Sequence, residues 1–163
     1  MRRHNIEVSA AAGLLSLAAA LTTAGSAGSA DAAGMKRTIT MVAIEPKGVA
    51  MLDKEPFPNN PLPEGKGYAL KPPDADGRWE VSTYRWDPNQ IIVNQGDEVT
   101  LEILGVNGAE HPTMVDGYDL SFTVKRGQLT SVSFIADKAG VFGLRCGVHQ
   151  PSMVGELIVL PGG

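Results

Sequence analysis

The sequence predicts an all-β fold, a Greek-key β-sandwich, on three observations. From Glu98 onward apolar and polar residues alternate with the two-residue period of half-buried strands, as in Val99, Leu101 and Ile103. Turn signals such as Gln95-Gly96-Asp97, Asp116-Gly117, Arg126-Gly127 and Ala139-Gly140 divide these runs at intervals suited to short antiparallel strands. Beyond residue 32 no long stretch has helical period.

Residues 1–32 read as a signal peptide preceding the fold. Arg2 and Arg3 make a basic start, Ala10 to Leu21 is an apolar run, and Ala30-Asp31-Ala32 offers a small-residue cleavage site. The run is shorter than the roughly 20 apolar residues that a spanning helix needs. The expectation is therefore a periplasmic or extracellular protein whose mature domain, 33–163, does not insert in a membrane. The paired arginines leave open general secretory or twin-arginine export.

Within that domain the first strand is expected at Thr38 to Ile44. Pro46 to Gly77 then carries seven of the chain's eleven prolines, so 46–78 reads as a proline-rich irregular excursion joining this strand to the rest. Strands follow at Trp79 to Trp86, at Gln90 to Val93 and from Glu98. Tyr118, Leu120, Phe122 and Val124 alternate with Asp119, Ser121, Thr123 and Lys125, and Val132 and Phe134 alternate with serines. Val141 to Cys146 and a segment holding Leu157 and Val159 complete the set.

With 163 residues, 43% hydrophobic and 20% charged, the chain has the composition of one soluble domain. Its net charge of −4 favours neither nucleic acid nor an anionic membrane surface as a partner.

Chemistry concentrates near the C-terminus. Cys146 is the one cysteine, so no internal disulfide can form, and an unpaired thiol in an exported protein calls for a role. It opens the run Cys146-Gly147-Val148-His149, with Met153 four residues on; His111 is the other histidine beyond residue 32. One thiolate, two imidazoles and a thioether form the donor set of a mononuclear copper site, two His and a Cys with a weak axial Met. Soft sulfur suits Cu(I) and imidazole suits Cu(II), so such a set serves both oxidation states. A structural zinc site would call for four Cys or His ligands, more than the domain offers. Glu110, beside His111, is an alternative axial donor.

Parity aims both sulfurs inward: Phe142, Leu144 and Cys146 share one face, and Met153 has the parity of Leu157 and Val159. His149 falls in the short loop between them. His111 is expected on a separate loop, between a strand ending near Leu104 and one beginning near Tyr118.

Residues from about Gln90 to Leu160 resemble a cupredoxin. Asp137-Lys138-Ala139-Gly140-Val141-Phe142 leading to Cys146, His149 and Met153 is similar to the ligand loop of small blue-copper proteins. His111-Pro112-Thr113-Met114 followed by Tyr118 resembles the upstream histidine loop of the cupredoxin domains in nitrous oxide reductase and oxidase subunit II, and of nitrosocyanin. The resemblance implies one copper ion with His111, Cys146 and His149 as equatorial ligands and Met153 axial. It further implies an electron carrier rather than an enzyme, meeting redox donor and acceptor proteins transiently. The loop histidine would be the solvent-facing edge, with Val148, Pro151, Pro112 and Met114 as an apolar docking patch.

Two departures matter. A single cysteine excludes the dinuclear centre of that group, and Pro112 stands where many blue-copper proteins carry an Asn that ties the two ligand loops together. Two alternatives stay open: a red-copper-like protein with an open or Glu110-ligated site that binds or reacts with small molecules, and a copper-binding or delivery module.

Overall fold

The computed structural model describes residues 34–162; the expected signal peptide lies outside the described residues. Twelve strands follow in order: β1 (Lys36–Ile44), β2 (Lys47–Met51), β3 (Tyr68–Lys71), β4 (Arg78–Thr83), β5 (Arg85–Asp87), β6 (Gln90–Asn94), β7 (Glu98–Gly105), β8 (Glu110–Val115), β9 (Leu120–Lys125), β10 (Leu129–Ile135), β11 (Gly140–Cys146) and β12 (Val154–Leu160). Among the described residues none is helical, and no helix is long and apolar enough to cross a membrane.

Two sheets form the sandwich, one ordered β10-β7-β1-β5 and the other β6-β12-β11-β8-β9. The chain passes from one sheet to the other between β5 and β6, β6 and β7, β7 and β8, β9 and β10, and β10 and β11. Crossings of this kind, rather than a run of hairpins, wind a sandwich. Alternate side chains of each strand enter one core: Val99, Leu101 and Ile103 from β7 meet Ile91 and Val93 from β6 and Leu157 and Val159 from β12. Asp97, in the turn between β6 and β7, pins the start of β1. Its carboxylate accepts the Met35 and Asn94 amides, each at 2.8 Å, and pairs with Arg37.

Three expectations change. The 46–78 stretch is not irregular throughout, because β2 and β3 flank β4 as a separate three-stranded sheet. The prolines between β2 and β3, and between β3 and β4, stay outside the strands, where a missing N–H costs no ladder bond. The strand read as Trp79 to Trp86 breaks at Tyr84: β4 belongs to the small sheet, and β5 pairs with β1 in the sandwich. His111 lies not on a loop but on β8, paired with Val124 of β9. Pro112 hid this strand, since proline argues against a central strand when read locally.

Candidate metal centre

Each cluster residue is held by a different local device. Cys146 ends β11, where alternation buries it with Leu144. The chain then turns tightly: Cys146 N–H donates to the Met153 carbonyl at 3.1 Å, Met153 N–H to the His149 carbonyl at 3.0 Å, and Gln150 Nε2 to the Cys146 carbonyl at 2.6 Å. His149 rides on this turn. His111 is delivered from β8, and the Gly147 N–H donates to the Pro112 carbonyl at 2.8 Å, so a backbone bond ties the two ligand segments that the Asn-to-Pro departure had left unlinked.

The donor atoms converge. His111 Nδ1 and His149 Nδ1 are 3.0 Å apart, and Cys146 Sγ lies 3.8 Å from the first and 3.5 Å from the second. A point equidistant from the three lies about 2.0 Å from each, within the roughly 2.0–2.3 Å range of first-row metal bonds to imidazole and thiolate. The residues therefore fit a metal ion, and among the described residues this is the cluster of His, Cys, Asp or Glu able to hold one.

Tautomer and ring orientation are set from behind. A carbonyl only accepts, so His111 Nε2–H donates to the Asn107 carbonyl at 2.8 Å, leaving Nδ1 of the neutral ring with its lone pair toward the cluster. Asn107 is itself held, its side-chain oxygen accepting the Glu45 N–H at 3.0 Å. Gly108 adopts φ +74°, and a Cβ there would lie 2.9 Å from His111 Cε1 and 3.1 Å from Tyr84 Cε1, so only glycine lets both rings approach. Tyr84 stacks on His149 with ring centroids 3.8 Å apart and planes at 26°. The indole of Trp86 meets His111 edge-on at 6.1 Å.

Burial depresses the proton affinity of both imidazoles; for His149 the neighbouring His111 lowers it further, against a small opposing pull from Glu45. Both are thus neutral near neutral pH and free to bind a metal. A histidine with a folded pKa below its ordinary 6.5 destabilises the fold only where the unfolded chain is protonated and the folded one is not. The copper-free protein should therefore keep full stability above pH 6.5 and lose it as pH falls below that value, by at most about 1.4 kcal/mol per pH unit for each ring. Denaturant midpoints of the copper-free protein between pH 7.5 and 5 test this, and a flat profile contradicts it.

Of the fourth-donor candidates, Met153 is fully buried at the base of the turn, with the inward parity expected. Glu110 is the residue before His111 on β8, so it faces the opposite side, exposed and registered with Lys125. Its carboxylate does not join the cluster. Pro112 and Met114 line an open, mostly apolar groove of about 490 Å³ with Gly147, Arg145 and Gln150, whereas His149 is only 8% exposed. Sequence reasoning missed Tyr84, Asn107, Gly108 and Trp86. Asn107-Gly108 was a legible turn signal, but nothing local marked Tyr84.

A β-sandwich that gathers two imidazoles and a thiolate around a metal-sized point fits a cupredoxin-like copper domain. Over 106 residues, 63% of this chain, it is 29% identical to the nitrous-oxide reductase of Ralstonia nicotianae (strain ATCC BAA-1114 / GMI1000), and spans 16% of that protein's length. Among solved structures it is similar to a heme-copper terminal oxidase dimer (TM-score 0.40, 20% identity, 46% of this chain and 56% of that one). It is also similar to the multicopper oxidase mgLAC (TM-score 0.48, 15% identity, 77% of this chain and 39% of that one). No family model matches the chain.

Proposed function

We propose that this protein is an exported one-electron carrier that would hold one copper ion through His111 Nδ1, His149 Nδ1 and Cys146 Sγ, with the thioether of Met153 as the fourth donor. The observation that carries the reading is the preformed triangle of three donors, each on a residue no more than 8% exposed. Copper supplies a one-electron couple whose two states accept the same sulfur and imidazole donors. The protein's part is to keep those donors still. Asn107 locks one ring, Tyr84 covers the other, and β11 anchors the thiolate, so electron exchange asks for little rearrangement. Export is supported by the leader pattern in residues 1–32.

The groove beside Pro112 and Met114 is also lined by Cys146 and Gly147, so a protein docked there sits next to the thiolate-bearing residue. Its modest size suits brief encounters with a redox donor and acceptor. Met114 is 53% exposed and on the strand face opposite the cluster. Met114→Glu should slow electron exchange with redox partners by about tenfold or more while copper stoichiometry and the visible spectrum stay unchanged. An altered spectrum would make Met114 structural, and an unchanged rate would remove the groove from the reading. The carrier reading itself is tested by adding azide to the oxidised protein: a closed site leaves the spectrum alone, while a new ligand band would point to small-molecule chemistry instead.

A further inference from the structure

The small sheet of β2, β4 and β3 adds no residue to the buried core of the sandwich, yet the residues flanking its strands, Gly67 just before β3 and Tyr84 just after β4, are bonded to the ligand turn. Gly67 N–H donates to the Gln150 carbonyl at 2.9 Å, and Tyr84 N–H to the Gly67 carbonyl at 2.8 Å. Ser152 Oγ lies 2.7 Å from the Gly67 carbonyl and 2.9 Å from that of Tyr84, sharing one proton between them. Gly67 is buried so closely that a Cβ would stand 2.4 Å from Ser152 Oγ and 2.6 Å from the His149 carbonyl. The same end of the sheet also reaches the second imidazole: Glu45, whose carboxylate accepts Ser82 Oγ of β4 at 2.7 Å, holds Asn107, which holds His111. Tyr84, at the end of β4, lies flat on His149 and also faces His111 at 5.8 Å.

We propose that this sheet is a clamp on the metal centre, with Tyr84 as a positioning residue whose ring locks His149 and seals the site's outer edge against water and small molecules. The proposal deepens the copper reading and rests on it for the role of the ligands, but the clamp itself is a property of the chain with or without metal. An imidazole can swing away from a metal only if its ring has room to turn. Stacking at 3.8 Å removes that room, and the bonds from Gly67 and Ser152 stop the turn from lifting away.

The test compares wild type with Tyr84→Phe, Tyr84→Leu and Gly67→Ala. In the copper-free protein, carbethoxylation of histidines by diethyl pyrocarbonate, mapped by mass spectrometry, reports ring accessibility. Tyr84→Leu and Gly67→Ala should speed modification of His149 about tenfold, more than that of His111, and Tyr84→Phe should match wild type. In the copper-loaded protein the same two variants should lose Cu(I) to a chelator about 10- to 100-fold faster, again with Phe restoring retention. Wild-type modification rates in both opening variants would overturn the clamp whatever copper does. A Phe variant as open as Leu would overturn the role of the stacked ring. Should His149 open as expected while wild type binds no copper, the clamp stands and the copper reading falls. If Tyr84→Leu fails to fold, Gly67→Ala, which pries the same clamp from its other side, carries the comparison.

Discussion

Cys146→Ser is expected to abolish the intense thiolate-to-copper charge-transfer absorption and to weaken copper binding by more than the roughly 10- to 100-fold typical of losing an outer-shell partner. The sulfur is one corner of the donor triangle, and the two imidazoles that remain, even with the weak thioether of Met153, offer no thiolate to hold Cu(I). The fold should survive, because the hydroxyl is smaller than the thiol and the surrounding strand ladder is made by backbone: Cys146 is registered with Thr113 and donates its N–H to Met153. Copper titration followed by visible and paramagnetic-resonance spectra measures the first effect, and circular dichroism of the copper-free variant checks the second. A serine variant that keeps both band and affinity would mean the metal sits elsewhere.

Trp86→Ala should cost about 3–5 kcal/mol of stability, the usual range for emptying a large aromatic site. Among the described residues Trp86 is the largest fully buried side chain, contributed by the three-residue strand β5 to the core beneath His111. Its indole N–H has no hydrogen-bond partner among the described residues. Trp86→Phe should therefore cost much less than Trp86→Ala, since it keeps most of the packed ring and gives up no hydrogen bond. Denaturant titration of the copper-free variants separates the two. The alanine variant should also bind copper more weakly, because the cavity frees the His111 ring. A loss below about 1 kcal/mol for alanine would show that the core collapses around the gap.

Much of the architecture was legible from neighbours along the chain. Side-chain alternation placed β7, β11 and β12, and the same parity put Cys146 and Met153 inside, as found. Where local signals conflicted, the reading failed. His111 was expected on a loop between strands ending near Leu104 and beginning near Tyr118, but β8 lies between β9 and β11, and the carbonyl of Pro112 accepts the Gly147 N–H. Prolines argued for disorder of form across 46–78, but β4 offers both edges to short strands that could not stand alone.

Residue type and spacing along the chain were enough to specify a two-His, one-Cys donor set inside an all-β domain, since both strand parity and ligand chemistry are local properties. Folding settled what they could not. The register of β8 turned His111 in and Glu110 out, and the docking of the small sheet laid Tyr84 on a histidine sixty-five residues away. Such contacts depend on which distant strands pair and in what register. A one-residue slip would reverse every face, and no pattern of near neighbours encodes that choice.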